Sequence, residues 1–242
     1  MSSLYLREEL EAVDAGGRLT LTGPEAKHAA TVNRTRPGQT VLIGNGRGLV
    51  AAGEVVVATG AELTIEVASV RQEERPAPRI TLVQALAKGD RDELAIQAAT
   101  ELGVDRVVPW SASRSVSRWD GAKIAKGRDR WSTIVREASK QSIRAWVPEV
   151  GELATTAQIA ALTVDADVLV LEPTGDTALT AFTPGERDLV LVVGPEGGIA
   201  PGELDALRAA GARIVRLGDT VLRTSTAGPA ALAVLNAALG RW

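Results

Sequence analysis

Cysteine is absent from the 242 residues, and histidine occurs once, at His28. The first absence removes a disulfide framework, and the two together leave no Cys/His set that could hold zinc, so no metal is expected. Long apolar runs are missing too. Residues 168–171 and 189–193 fall far short of the roughly 20 apolar residues that cross a bilayer, and the run at 227–239 is broken by Gly228 and Pro229. No early segment joins basic residues to an apolar stretch in the manner of a signal peptide. A cytoplasmic protein with no membrane partner is therefore expected. The spaced G-x-G-x-x-G fingerprint and the P-loop Lys with Ser or Thr are also lacking, so neither dinucleotide binding nor ATP hydrolysis is specifically supported.

Net charge is only −3, which by itself argues against an extended phosphate-binding surface. The distribution argues otherwise. Residues 106–144 carry ten Lys or Arg against three Asp or Glu, a local net of +7, while residues 145–242 carry six basic against twelve acidic side chains. Four of the five tryptophans, Trp110, Trp119, Trp131 and Trp146, lie in or beside the basic stretch and could offer stacking surface to a polyanion. Solvated helix faces and packed cores explain the same residues, and composition does not choose between the two.

Two patterns divide the chain. Over the first seventy or so residues, short β-prone pieces at 19–21, 40–43, 49–57 and 63–70 are separated by turn signals, and Asn45-Gly46 reads as a hairpin turn. A compact barrel or curled sheet fits these, with a short helix at 24–33 carrying His28. The charged stretch at 71–78, with Pro76 and Pro78, marks a boundary. Beyond it, strands at 79–85, 106–109, 168–171, 189–193 and 213–216 alternate with helices at 91–102, 129–141 and 201–210. That alternation predicts a mostly parallel sheet covered on both faces.

The most informative local feature is 189–199, LVLVVGPEGGI, a buried strand running into Gly194, Pro195, Glu196, Gly197 and Gly198. Loops at the carboxyl end of a parallel sheet are where open α/β folds bind ligands, although a rigid strand-to-helix turn has the same signature. A second loop, LGDTVLRTSTAG, follows the strand at 213–217. Its Arg223 has the donor fork for a phosphate or carboxylate, or for a structural salt bridge, and Thr224, Ser225 and Thr226 can cap the helix that follows. Arg136, Lys140, Gln141 and Arg144 are spaced along one side of a helix and its end, where they could hold RNA. His28 has no neighbouring acid/base partner in sequence and reads as a core or cap residue at least as readily as a catalytic one.

Taken in order, these pieces resemble the bacterial 16S ribosomal RNA uridine-N3 methyltransferase family, within the knotted SPOUT methyltransferases. The likeness is carried by Thr100-Glu101-Leu102-Gly103-Val104, Arg130-Trp131, Gln141-Ser142-Ile143-Arg144, Pro148-Glu149-Val150, Gly194-Pro195-Glu196-Gly197-Gly198 and residues 217–224, LGDTVLRT. His28, Arg34, Pro37, Gly38 and Gly44-Asn45-Gly46 are similar to that family's PUA-like RNA-binding module. The resemblance implies an α/β chain with a small PUA-like β-barrel domain over 1–72, followed over 76–242 by a SPOUT domain with a C-terminal trefoil knot.

It further implies S-adenosylmethionine-dependent methylation of uridine N3 in 16S ribosomal RNA of the small ribosomal subunit, by a homodimer. The cofactor residues it implies are Leu171, Glu172, Gly194, Pro195, Glu196, Gly197, Gly198, Leu217, Gly218, Val221, Leu222, Arg223 and Thr224. RNA contacts would fall to His28, Arg34, Arg36, Arg114, Arg136 and Lys140, and catalysis to Arg144, Arg223 and Ser225. A ribose 2′-hydroxyl or another base atom as target, or a noncatalytic RNA-binding assembly factor, are the alternatives. The chain departs from the family pattern at Ser225 and Lys140, each standing where Glu is frequent, and at Val32-Asn33-Arg34, in place of Val-Leu-Arg.

Overall fold

Leu4, Tyr5 and Leu6 are all buried in β1 (Leu4–Leu6), whereas β2 (Arg18–Thr22) alternates and turns only Leu19 and Leu21 into the core. Pro24 opens α1 (Gly23–Thr31), whose Ala26 and Ala29 are fully buried. Then come β3 (Thr40–Gly44), β4 (Leu49–Ala58) and β5 (Glu62–Gln72). The five strands form one sheet in the order β1-β3-β4-β5-β2, with β1 parallel to β3 and the other pairs antiparallel. The ladder begins at β1 and ends at β2. Register shifts between Ala52 and Gly53 and between Val55 and Val57 bend β4 against β5, and α1 packs against β1, β2, β4 and β5.

The structure describes residues 3–242 of the computed structural model, and its division into two units is not collinear with the sequence. Ser139–Val147 belongs with Met1–Arg75, and Pro76–Ala138 belongs with Pro148–Trp242. Within the first unit, Ala145 is buried with Leu4 and Val50, beside Leu42, Ile143 and Trp146. The connection between β3 and β4 is longer than a two-residue Asn-Gly turn because it pairs with this returning segment. Gly48 N–H donates to Ala145 O (3.0 Å) and Val147 N–H to Gly46 O (3.0 Å). Asn45 holds the connection from inside, its Oδ1 accepting from Arg47 N–H (2.7 Å) and Leu49 N–H (3.1 Å). Asn33, at one of the departures noted above, donates to the Tyr5 hydroxyl (3.0 Å).

The second unit begins with β6 (Ile80–Ala85), α2 (Arg91–Glu101) and β7 (Arg106–Trp110). Helix α3 (Ala122–Gln141) starts earlier than the apolar spacing predicts, since its first two turns are largely exposed and polar. Next are β8 (Glu149–Val150), α4 (Thr156–Ala161), β9 (Ala166–Leu171), β10 (Thr177–Ala178), β11 (Asp188–Val193), α5 (Pro201–Ala209), β12 (Arg213–Arg216) and α6 (Thr224–Ala238). Strand β1, the two-residue strands and α4 were not foreseen, although Thr155 and Gln158 form a capping box that marks the start of α4. The seven strands are all parallel, in the order β10-β12-β9-β11-β6-β7-β8. Val168, Leu169 and Val170 of β9 and residues 189–193 of β11 are buried irrespective of which face they point to, as a sheet covered on both sides requires.

Lys140 is the sharpest electrostatic feature of the first unit. Its side chain is 4% exposed, and its ammonium lies 3.1 Å from Glu25 Oε1, on a side chain 15% exposed. Taking one partner away removes a compensating charge from a buried one. Glu25→Ala is therefore expected to lower stability by about 3 kcal/mol, and Glu25→Leu combined with Lys140→Met to recover most of that loss. Urea denaturation followed by circular dichroism measures both.

Candidate functional site

Three strands of the second unit, β9, β11 and β12, end side by side, and the loops that leave them wall a cavity of about 360 Å³. Leu171, Glu172 and Pro173 come from the end of β9, and Val193, Gly194, Pro195, Glu196, Gly198 and Ile199 from the end of β11. Arg216 ends β12 and Leu217, Gly218, Thr220, Val221 and Leu222 follow it, Arg223, Thr224 and Ala227 belong to the start of α6, and α2 adds Arg91.

Each loop is fixed by its own backbone. Glu172 N–H donates to Val215 O (2.9 Å), and Arg216 Nη1 donates to the carbonyls of Gly175 (3.1 Å) and Asp176 (3.2 Å), pinning the loop after β9. After β11 the chain turns sharply: Gly198, at φ 71°, donates to Pro195 O (2.9 Å). A Cβ on Gly194 would lie 2.6 Å from Ile199 Cγ1, so the two sides of this turn touch only because residue 194 is glycine. After β12 the chain bends through 217–220 to Arg223, whose carbonyl accepts from Thr226 N–H (2.9 Å) and Ala227 N–H (3.0 Å) and so starts α6.

Charge around the cavity is partly committed. Glu196 Oε1 accepts from Arg91 Nη1 (2.9 Å) and Lys88 N–H (3.2 Å). Burial pushes this carboxyl upward, but the hydrogen bonds from its own N–H, Arg91 and Lys88 outweigh burial and hold it below the ordinary range. Arg216 is occupied with carbonyls. Arg223 has no ion pair among the described residues and is exposed on the rim. Glu172, Thr220 and Thr224 add a carboxylate and two hydroxyls, and the remaining walls are backbone and aliphatic side chains, without a histidine or cysteine. Such a site suits a ligand that brings its own reactivity and needs to be oriented.

Residues 73–236 match the family model of the RNA methyltransferase domain, and residues 21–68 match that of the RNA methyltransferase PUA domain. The chain is 43% identical over 235 residues to the ribosomal RNA small subunit methyltransferase E of Mycobacterium tuberculosis, covering 95% of this chain and 90% of that protein. With the protein of the same name from Bacillus subtilis the identity is 29%, over 98% and 96% of the two chains. The crystal structure of a ribosomal RNA small subunit methyltransferase E from Neisseria gonorrhoeae bound to S-adenosyl methionine superposes with a TM-score of 0.87, at 26% identity and 98% coverage of both chains. This chain belongs to the ribosomal RNA small subunit methyltransferase E family.

In this methyltransferase the cavity gathers all the residues expected around a cofactor except Gly197. That glycine lies on the outer side of its turn, where Arg114 packs against it and donates from Nη1 to its carbonyl (3.2 Å). Sequence reasoning missed Arg91, Pro173, Val193, Ile199, Arg216, Thr220 and Ala227, which flank the named motifs or, for Arg91, lie on a different element. Ser225 is half-buried in the first turn of α6, next to Arg223. Arg144 belongs to the first unit with Ser139–Val147, its N–H donating to Ser139 O (2.9 Å).

Of the expected RNA contacts, Arg34 and Arg36 are exposed in the first unit, His28 is half-buried on α1, and Lys140 is buried against Glu25. Arg136 is half-buried and paired with Glu137 (3.2 Å), and Arg114 is exposed. The tryptophans of the basic stretch are mostly not a stacking surface: Trp110 and Trp131 are core residues, and Trp119 meets Trp131 edge-on at 5.4 Å. Part of the +7 is internally paired, as in Arg128 with Glu152 and Arg130 with Glu93. Arg114, Arg118 and Lys126 carry no ion pair among the described residues.

Glu203, on the first turn of α5, ties the loop after β11 to two other elements. It accepts from Ser113 N–H (3.0 Å) and Oγ (2.8 Å), from Thr156 Oγ1 (2.9 Å) and from Ala200 N–H (3.3 Å). Burial pushes the carboxyl upward, and these donors together hold it below the ordinary 4.5. A depressed folded-state value means that the stability is present above about pH 4.5 and is lost as pH falls through the depressed value. Glu203→Gln should therefore melt below the wild type near neutral pH, with the gap closing as the wild-type carboxyl protonates. Thermal midpoints of both proteins from about pH 3 to about pH 7 test this.

Proposed function

We propose that this methyltransferase transfers a methyl group from S-adenosylmethionine to N3 of a uridine in 16S ribosomal RNA, as a cytoplasmic homodimer whose C-terminal domain carries a trefoil knot. The observation that carries the reading is the cavity itself: three loops at the carboxyl ends of adjacent parallel strands, closed by the start of α6, with Arg223 uncommitted on its rim. The donor set fits such a cofactor. Leu171, Ile199, Leu217 and Leu222 give an apolar slot for an adenosyl group, the backbone of Gly194 and Gly218 allows close approach, and a volume of about 360 Å³ lies in the range of small-molecule sites. The S-adenosylmethionine-bound relative from Neisseria gonorrhoeae supports the choice of ligand.

When bound, S-adenosylmethionine supplies a methyl group already activated by its sulfonium. The protein's task is then alignment and charge stabilisation. N3 lies on the base-pairing edge of uridine, so the base has to be unstacked and presented to the cavity. N3 would give its proton to a water molecule and bond to the methyl carbon as the carbon–sulfur bond breaks, with the electron pair of that bond staying on sulfur. Negative charge spreads to the uracil carbonyl oxygens on the way. Arg223 and Arg144 stabilise that charge while remaining protonated, which is why neither is the base. Ser225 positions the uracil or a water beside Arg223.

Incubation with labelled S-adenosylmethionine and small ribosomal subunits should place label in 16S RNA, and digestion with mass spectrometry should give a base-methylated uridine. No transfer would overturn the reading, and a ribose-methylated nucleoside would overturn the target atom. Sedimentation at micromolar concentration should show a species heavier than the 25.3 kDa chain.

In single turnover with both ligands saturating, Arg223→Ala and Arg144→Ala should each slow transfer by roughly 10²-fold, about 2.7 kcal/mol, with Ser225→Ala milder. Near-normal transfer in both Arg variants would assign them to binding or folding. Loss of transfer in Ser225→Ala with intact binding would make the hydroxyl the more important group.

A further inference from the structure

Gln84 is fully buried near the end of β6, opposite Val193 in the ladder with β11. It does not line the cavity, yet it bonds to Thr224, which does, and through it reaches Gly194. Its Nε2 donates to Thr224 Oγ1 (2.8 Å) and to Ala85 O (3.2 Å), and Thr224 Oγ1 donates in turn to Gly194 O (2.8 Å). The direction of this chain is forced. A carbonyl only accepts, so the single hydroxyl proton of Thr224 goes to Gly194, and the hydroxyl oxygen has to accept from the amide nitrogen of Gln84. The opposite amide orientation would set Oε1 against Ala85 O and a hydroxyl whose proton is committed. Gln84 Oε1 is accordingly left buried without a partner among the described residues, a cost that a side chain serving only to fill space would not incur.

Four residues along α6 from Thr224, Gly228 presses on the same strands: a Cβ there would lie 2.9 Å from Leu82 Cδ1 and 3.4 Å from Val193 Cγ2. Helix α6 is thus seated by close packing at Gly228 and by a directed hydrogen bond at Thr224. Close packing limits how near the helix comes, but the hydrogen bond sets where its first turn stands.

We propose that Gln84 is a positioning residue for methyl transfer, which through Thr224 locks the loop after β11 to the start of α6 and so fixes where Arg223 stands on the cavity. This rests on the S-adenosylmethionine reading above. Gln84→Met keeps the length and removes both donors. It should raise the S-adenosylmethionine Kd about tenfold, and Thr224→Val should do the same. The double variant should be no worse than about tenfold, because both substitutions break one chain. Thr224→Ser, which keeps the hydroxyl, should bind more tightly than Thr224→Val.

Gln84→Glu supplies a readout that packing alone would not move. Only its protonated carboxyl can donate to Thr224, so its affinity relative to wild type should improve as pH falls. Hydrogen exchange on the ligand-free proteins separates this inference from the cofactor assignment: amides at 194–200 and 224–228 should exchange faster in Gln84→Met. If the wild type binds no S-adenosylmethionine, the cofactor reading fails and the exchange data still decide the role of Gln84. Unchanged exchange in a folded Gln84→Met, an unchanged Kd, effects that multiply in the double variant, or a pH-independent affinity ratio for Gln84→Glu would each overturn the proposal.

Discussion

At Gly228, which has no side chain of its own, the backbone of helix α6 rests directly on the side chains of Leu82 of β6 and Val193 of the central strand β11. Much of the second unit depends on that close approach. The helix axis cannot move outward without losing contact with Leu82 and Val193, and the buried side chains of Ala231, Leu232 and Leu235 extend the contact along the helix. Its first turn is therefore delivered to the edge where β9, β11 and β12 end. A parallel sheet covered on both faces leaves its irregular backbone at the strand ends, and there the loops can carry chemistry without disturbing the core.

The cavity owes its character to what the sheet edge offers. Backbone N–H and C=O groups of tight loops, aliphatic residues continuing from the strands and the start of a helix make an oriented surface, to which Arg91, Glu172, Glu196, Arg216 and Arg223 add charge of both signs. Carboxylates near it are held ionised: Glu196 by Arg91 and Lys88 N–H, Glu203 by the donors of Ser113, Thr156 and Ala200. Neither carboxyl is raised toward neutrality as a general acid or base requires. That is coherent with a reaction in which the electrophile arrives activated and the protein contributes geometry and positive charge.

The elements that carry the site were legible because their signals are local. The apolar run at 189–193, the glycines after it and the Pro201 that opens α5 announce strand, turn and helix within a dozen residues. The strand at 213–216 and the polar loop before α6 do the same. What the sequence hides depends on long-range pairing. Nothing local says that Ala145 and Trp146 leave the second unit's numbering range to pack on β1 and β4, or that the Asn45-Gly46 turn is lengthened to receive them. Arg91 and Gln84 escaped for the same reason, since each reaches its partner across more than a hundred residues. The tryptophans could not be placed from a basic neighbourhood in sequence, which suits a surface and a core alike, and Trp110 and Trp131 prove to be core residues.

The departures from the family pattern separate into two kinds when each is given its surroundings. At 140, a lysine in place of the frequent glutamate stands 3.1 Å from Glu25, so the position carries one half of a buried ion pair, and its consequence is for the stability of the first unit. Two glutamates at that distance could not both be ionised. At 225 the change is of another sort, because a neutral serine follows Arg223 by two residues at the start of a helix whose N-terminal end favours negative charge. A carboxylate there would compete with an anionic substrate for the guanidinium of Arg223. With serine in its place Arg223 is exposed and has no ion pair among the described residues. Serine at 225 thus adds no negative charge two residues from Arg223, where a glutamate would place a carboxylate within reach of an internal salt bridge.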